Sequence, residues 1–564
     1  MTKNNEIPMS FLIEKQSLKD ADGADELEME IDETNELLYG VNDTPSWLSL
    51  IAMGFQQTMV AASGAIVLPL LIASFVCAEH NDAVKLKLIG TTLVMVGVAT
   101  VLQTVLGVRL PLLQGPSFAF LPAIIAMVKL PEFQCPTSAG TLINGSDNGH
   151  DDLVWMPRLQ AVQGGYIAAS SVQMLLGMSG LVGVLVRYIG PLTVAPLMAL
   201  LSITIVDKAL EQMSLHWISL VSVAALLLFS LYLCNVSVPL PSVTFSPYSV
   251  KAKKQRIFGL FPYLLAIILV WTMCLILTYT FFGENDKAAR TDLKVKILYS
   301  APWFRLPYPG QWGMPIFKAG VIMGMVGGTV ASVVESVGDY QACARVCRQP
   351  PPPSHAVNRG IFMEGFGCFL GSCFGGVAMT SFSQNIGVIG STRVASRNVM
   401  VAAGCVFMVM GIFTKFGALL AMLPTPIVGS ILCVASASVG GVGLSSIQMI
   451  DAAKSRNMSI LGLAIMGGLM IPRYLHLHPI TVGPPAFKDT INILFGIEML
   501  VGGLIGFILD NTVPGATRAE RGLVHEVHEL TTNNRLQKSV YQLNDPISKR
   551  IRTNPILSRL PIIG

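Results

Sequence analysis

Apolar residues run through this chain in long blocks, not in the short alternation of a half-buried strand, and about 18 or more apolar residues in a row read as a membrane-spanning helix. The blocks lie near 47–77, 85–107, 116–130, 161–182, 191–206, 215–235 and 257–282. After a polar loop they resume near 314–340, 360–379, 384–396, 399–422, 425–445, 457–473 and 491–510. An odd number of segments in each half sends the second half into the bilayer from the opposite side, which is the arithmetic of an inverted repeat. The pattern predicts an all-α polytopic membrane protein of 14 segments arranged as 7+7 inverted repeats.

The third segment of each half breaks the pattern. One begins QGPSFAF (114–120) and the other QNIGVIG (384–390) within the polar run SQNIGVIGSTRVASR (383–397). Each is too short, and too interrupted by Gly or Pro, to cross about 30 Å as a helix. They sit at corresponding places in the two halves, the strongest sequence pointer to a transporter binding site. Extended backbone at membrane depth must pair with protein or ligand, so the two breaks are expected to pair as a short two-stranded β-ribbon. The helices after them would point their positive N-termini at the midplane, where a polar solute finds backbone donors. Gly387 and Gly390 would let that backbone approach the solute. Reading 383–397 as a plain loop would spoil the repeat.

Composition agrees: 52% of the 564 residues are hydrophobic and 13% charged, with a mean hydropathy of +0.59. A net charge of +4, dispersed along the chain, gives no footprint for nucleic acid. The ten cysteines suggest neither a disulfide framework nor a zinc site, and Cys343 and Cys347, four apart, read as packing. Residues 1–45 read as a disordered acidic cytoplasmic tail, since 20–36 hold nine acids and no base, the opposite of a signal peptide. The membrane repeats span 46–282 and 314–512, with an extracellular loop at 283–313 and a polar cytoplasmic tail at 513–564. Basic connections at 236–256 and 341–359 place those ends inside. Both termini are then cytoplasmic and the 131–157 loop is outside, where Asn144 of Asn144-Gly145-Ser146 is the expected glycan site. The sequons at Asn42, Asn235 and Asn457 fall on the inner side.

Several polar residues stand out in the second half. Glu335 and Asp339 in SVVESVGDY lie four apart and share a helix face, Glu364 follows in IFMEGFG, and Gln384-Asn385 opens the break. Carboxylates inside a membrane domain mark a solute or ion path, and a cation would neutralise them. Asp339 also reads as a helix-end residue, and Glu364 as a brace behind the break. Lys415 reads as snorkelling or paired, Arg393 and Arg397 as ordinary inner-end cations, and Pro350–Pro353 as a stiff connector.

The run QNIGVIGSTR (384–393) resembles the signature of the nucleobase–ascorbate transporter family (nucleobase:cation symporter-2), with Gln384, Asn385, Gly387, Thr392 and Arg393 all in place. The likeness extends over about 45–520 through GFQQTMVAASG, GVRLPLLQGPSFAF, YIGPLTVAP, ESVGDYQACAR, NRGIFMEG and ILDNTVPG, strings most similar to the animal sodium-dependent vitamin C and nucleobase branch. The resemblance implies a core domain (segments 1–4 and 8–11) and a gate domain (5–7 and 12–14), alternating access between them, a homodimer and a plasma-membrane location. It implies solute contacts from Glu335, Glu364, Gln384, Asn385 and Gly387, with Ser117, Phe118 and Ala119 on the segment 3 side. Microbial proton-coupled relatives carry histidine at the position of Asp339; aspartate here implies sodium, held by Asp339 with Glu335.

Two departures bear on the solute. Animal ascorbate carriers have Pro before the signature Asn, whereas this chain has Gln384, and Gln57 stands where relatives usually carry His. Glutamine offers the acceptor and donor pair that a uracil or xanthine edge needs. The expected function is sodium-coupled uptake of nucleobases, with sodium–ascorbate symport as the alternative. The expected partners are a small-molecule solute and the lipid bilayer, with no organic cofactor. An anion exchanger would want a basic residue at the breaks, and none lies in 114–122 or 380–390. An enzyme lacks a catalytic constellation in any extramembrane segment of domain size. A channel would not need paired breaks.

Overall fold

In lipid a chain must satisfy its backbone N–H and C=O groups internally, and each of the apolar blocks contains a helix. In the first half these are α1 (Trp47–Phe75), α2 (Asp82–Val105), α3 (Leu121–Val128), α4 (Asn148–Ser179), α5 (Pro191–Thr204), α6 (Ile218–Leu227) and α7 (Pro262–Thr280). In the second they are α8 (Ala319–Val346), α9 (Ser354–Cys373), α10 (Ser383–Thr392), α11 (Arg397–Ile412), α12 (Thr425–Ser445), α13 (Ser455–Leu477) and α14 (Glu498–Thr512). This computed structural model describes residues 37–523 and 540–543 except 80, 129, 131, 136–147, 186–187, 235, 243–250, 256, 261, 284–285, 293–294, 481–482, 485–487, 489–490 and 493. Among the described residues, six helices are long and apolar enough to cross a membrane on their own.

Local chemistry sets the helix ends. Asn81 caps α2 by accepting the Val84 N–H at 3.2 Å, with Asp82 in the first turn. Gly190 and Pro191 open α5, proline costing nothing where the N–H has no partner. α8 starts at Ala319, later than the expected 314, with Lys318 still extended at φ −110°, ψ 127° as its N-cap.

The two breaks do pair. β1 (Gln114–Pro116) runs antiparallel to β4 (Met379–Ser381), with Gln114 opposite Ser381, Gly115 opposite Thr380 and Pro116 opposite Met379. A separate hairpin, β2 (Val238–Ser242) with β3 (Lys251–Gln255), occupies the basic connection after α6. The first-half strand falls on the expected QGP. The second-half strand does not: QNIGVIG is the first two turns of α10, and the extended residues are MTS, just before it. The physical reason is the Gly375-Gly376 pair, which ends α9 with Gly375 at φ +81° and releases the following residues into a strand.

The helices pack in two groups. α1–α4 and α8–α11 pack on one another around the ribbon, and α5–α7 pack with α12–α14. α8 borders both: Gly327 faces Leu494, Ile497 and Leu500, and Gly338 faces Val194. The most extensive contact, α2 on α11, is a crossing of glycines. A Cβ on Gly97 would stand 2.4 Å from the Gly404 carbonyl oxygen, and one on Gly411 2.6 Å from the Gly90 carbonyl oxygen. Small residues let two backbones touch where lipid supplies no hydrophobic drive. Gly97→Ala should therefore cost roughly 1–3 kcal/mol through overpacking and lower the unfolding temperature of the purified protein. An unchanged temperature would mean that the two helices are not in backbone contact.

The cysteine reading needs one correction. Cys77, just past α1, and Cys135, after α3, form a disulfide across 58 residues. Two cysteines at that distance carry no spacing signature, so only the fold brings them together. Cys343 and Cys347 are free and buried, their sulfurs 3.8 Å apart. Parts of the expected tails are also ordered. Tyr39 bridges Val394, and the Ala395 and Arg397 N–H groups donate to the Tyr39 and Val41 carbonyls at 2.9 and 3.2 Å.

Candidate binding site

On α8 the residues Gly328, Ser332, Glu335, Ser336 and Asp339 recur every three or four positions and form one face. That face follows the broken segments from end to end. A Cβ on Gly328 would lie 3.0 Å from the Ala119 carbonyl oxygen, so the turn Phe118–Phe120 rests directly on the helix. Thr380 Oγ1 is 3.0 Å from both Ser332 Oγ and Ser336 Oγ, which fastens β4 to the middle of the face. Towards the C-terminal end of α8, Ser383 Oγ donates to Asp339 Oδ2 at 3.0 Å, joining the first residue of α10. Asp339 lies two turns before the end of α8 at Val346, so it is not a helix-end residue.

The three carboxylates are all buried, with exposures of 8% for Glu335, 4% for Asp339 and 1% for Glu364, yet their surroundings differ. Glu364 is surrounded by donors. Gln173 Nε2 reaches Oε1 at 2.9 Å, Ser336 Oγ lies 2.8 Å from both oxygens, and Ser381 Oγ and Tyr340 OH reach Oε2 at 3.2 and 3.3 Å. Gln103 Nε2 donates in turn to the Tyr340 oxygen at 2.6 Å. A carboxylate so bonded is a brace: it locks α4, α8, α9 and β4 into one unit. Glu335 accepts no hydrogen bond from any described residue, and none of the three carboxylates forms an ion pair among the described residues.

The ribbon side is as constrained. The Ser117 N–H extends the ladder to the Ala378 carbonyl at 3.0 Å, while Ser117 Oγ is buried without a partner among the described residues. Phe118 is half-buried and Ala119 buried. Asn385 Oδ1 accepts the Leu113 N–H at 3.1 Å and its Nδ2 donates to Gln57 Oε1 at 3.3 Å, so this amide ties the entry of the ribbon to α1. Gln384 is the second residue of α10, and its side chain lies outside the described residues. Gly387 faces open space, with no atom within 4 Å of where a Cβ would stand. Asn144 lies outside the described residues. Lys415 is paired rather than free: its Nζ bonds the Leu298 and Tyr299 carbonyls and sits 5.5 Å from the Trp303 ring.

The sequence reading passed over Gln103, Gln173, Ser336, Tyr340, Thr380 and Ser381. A signal was available for two of them. Glutamines recur inside apolar blocks at 57, 103, 114, 163 and 173, and a polar side chain there needs a buried partner. The serines carry no such mark.

Residues 48–477 match the Permease family. Human solute carrier family 23 member 2 is 41% identical over 497 residues, covering 87% of this chain and 76% of that protein. Mouse solute carrier family 23 member 1 is 40% identical over 498 residues, covering 87% and 82%. Nucleobase-ascorbate transporter 2 of Arabidopsis thaliana is 32% identical over 508 residues, covering 87% and 91%. All three bear the names of transporters, none that of an enzyme.

Proposed function

We propose, from the premise that this chain belongs to the Permease family of nucleobase and ascorbate transporters, that it is a sodium-coupled importer of nucleobases. The observation that carries the reading is Glu335. A buried carboxylate with no partner among the described residues, on a helix that borders both packing groups, needs a ligand to justify its desolvation. The N–H edge of a base and a cation together would supply one. Glu335 and Gln384 bind the base edge, Phe118 offers a ring face, and Ser117 Oγ adds a free polar group. Glu364 and Asn385 hold the frame. The two packing groups act as core and gate, and their relative movement gives alternating access in the 7+7 plan. Sodium–ascorbate symport is the second reading, favoured by the 40–41% identity to the solute carrier family 23 members. Uptake of labelled uracil, xanthine, hypoxanthine and ascorbate, with and without sodium, tests both. Ascorbate uptake with no base carried would sink the first.

Among the described residues no three His, Cys, Asp or Glu side chains converge as a metal cage. A transported sodium ion would therefore take carboxylate oxygen from Asp339 and complete its shell with hydroxyl, amide or backbone oxygens. Asp339→Asn should raise the sodium concentration needed for half-maximal uptake, because a charged hard-oxygen ligand is lost. Unchanged sodium dependence would move the ion elsewhere.

The topology gains support from two contacts. The start of α1 lies beside the basic connection 341–359, since Arg397 bonds both Asn42 near α1 and the Val540 carbonyl, whose neighbour Tyr541 is held by Arg359. The Cys77–Cys135 disulfide is at the far end of α1, as expected for the face outside the reducing cytosol. The side chain of Asn457 is buried and donates to the Asp451 and Glu520 carbonyls at 3.1 and 3.0 Å, so it is closed to a glycan. Asn144→Gln should shift gel mobility and leave uptake intact; a glycan elsewhere with none at Asn144 would invert the orientation.

A further inference from the structure

Residues 299–308, YSAPWFRLPY, belong to the loop expected outside the membrane, yet their side chains are those of a surface that avoids water. Tyr299, Trp303, Phe304, Leu306 and Tyr308 are each between 56% and 81% exposed, and no acid occurs from 299 to 317. An exposed apolar run of this size marks an interaction site. The backbone beneath it is fastened at every few residues. The Arg305 N–H donates to the Ile412 carbonyl at 3.0 Å, the Thr414 N–H to the Trp303 carbonyl at 3.1 Å, and Phe304 and Phe413 form an antiparallel bridge. Lys415 Nζ takes up the Leu298 and Tyr299 carbonyls, and the Gly310 N–H reaches the Cys373 carbonyl at the end of α9 at 2.8 Å. Arg305 Nη2 bonds Gln311 Oε1, and Gln311 Nε2 donates to Thr91 Oγ1 of α2 at 3.0 Å. Pro302, Pro307 and Pro309 have no N–H to satisfy. Backbone groups are paired within the protein in this way where water is scarce.

The height of the segment follows from α11. That helix starts at Arg397, whose guanidinium bonds Asn42 Oδ1 and the Val540 carbonyl and so marks a polar boundary, since a charge within hydrocarbon is costly. Its 16 residues rise about 24 Å, at about 1.5 Å each, short of the roughly 30 Å of a hydrocarbon core. Ile412, and the residues 303–305 paired with it, therefore reach no farther than the opposite boundary, and tilt only lowers them. The exposed surface also runs on without a break. Val409 of α11 is 66% exposed, and four residues later the Phe413 ring meets the Trp303 and Phe304 rings, each at 5.8 Å. The side of α11 that faces lipid thus passes directly into the aromatic patch.

We propose that residues 299–308 form a membrane-interface belt whose partner is the headgroup layer of the leaflet opposite Arg397. Its rings lie at the boundary between headgroups and acyl chains, the level that Trp and Tyr favour. Arg305, which forms no ion pair among the described residues, takes a lipid phosphate as its counter-charge. The belt is fastened to α2, α9 and α11, so it sets the depth of that helix group in the bilayer.

The test reads Trp303 in the full chain reconstituted into phosphatidylcholine vesicles. Tryptophan emission is recorded for the unaltered protein and for Trp303→Phe, and the difference isolates Trp303. The pair is measured with lipids that carry a nitroxide near the headgroup, with lipids that carry it near the acyl end, and with iodide on both sides of the vesicle. The headgroup label should quench the Trp303 share more strongly than the acyl-end label, and iodide should quench it severalfold less than a free tryptophan amide in the same buffer. Leu306→Ser with Tyr308→Ser removes apolar side chains that make none of the contacts above, so the fold should hold while Trp303 loses lipid quenching and gains iodide quenching. Leu306→Trp in the Trp303→Phe background is a second reporter and should behave as Trp303 does. Free access of iodide with no lipid quenching would put the segment in water, and stronger quenching by the acyl-end label would put it inside the hydrocarbon. Protection from both quenchers would mean that a second copy of the chain covers it. Each of those results would overturn the belt.

Discussion

Glu335→Gln is expected to abolish uptake while the protein still reaches the cell surface. The two halves of that result have separate causes. Glu335 accepts no hydrogen bond from any described residue, so replacing it with an isosteric amide leaves no protein donor unsatisfied and should spare folding. An amide, however, puts a donor NH2 where the carboxylate has its second acceptor oxygen, so it cannot match the carboxylate as a two-oxygen acceptor for the N–H groups of a base, nor balance a cation. Hydrogen bonds to a charged group are worth about 1.5–3 kcal/mol, which is roughly ten- to 150-fold in affinity. Glu364→Gln should behave in the opposite way. Its carboxylate accepts from Gln173, Ser336, Ser381 and Tyr340, and an amide NH2 in its place would confront donors with a donor. Loss of the protein itself is expected there. Measuring surface density and uptake for the two variants side by side separates the roles; normal uptake by Glu335→Gln would remove Glu335 from the site.

The sequence offered Glu364 both as a brace behind the break and as a solute contact and could not choose between them, whereas the placing of the carboxylates beside the breaks was legible. The spacing of Glu335 and Asp339 put both on one face of α8, and the matched breaks located the ribbon opposite them. The second strand was misplaced because MTS sits at the end of a continuous apolar block, and periodicity cannot tell a short buried strand from helix in such a run. QNIGVIG looked extended for its glycines, yet α10 tolerates them with Gly387 facing open space. Which carboxylate is braced and which is free depends on Ser336, Ser381 and Tyr340, residues whose identity says nothing until the fold sets them around Glu364. The Cys77–Cys135 bond was hidden for the same reason.

The substitution that best separates the two solute readings is Gln384→Pro. Should Gln384 read the base edge, its removal leaves base donors or acceptors unpaired in a desolvated site, at roughly 1–3 kcal/mol per group, or about 5- to 150-fold in affinity. Nucleobase uptake should collapse with surface expression retained. The expectation of tolerance now has a different basis from an extended backbone. Gln384 is the second residue of α10, and the first four N–H groups of a helix have no intrahelical partner, so proline breaks no hydrogen bond within the helix there. Proline does disfavour the helical region for the residue before it. That residue is Ser383, whose hydroxyl holds Asp339 at 3.0 Å. Gln384→Pro would therefore disturb the ion as well as the base, whereas Gln384→Ala removes only the amide. The nucleobase reading predicts that both variants lose base uptake and that only the proline variant also shifts sodium dependence. Sodium-dependent ascorbate transport by the unaltered protein, unchanged in both variants and with no base carried by any of them, would retire the nucleobase reading and leave Gln384 without a part in solute recognition.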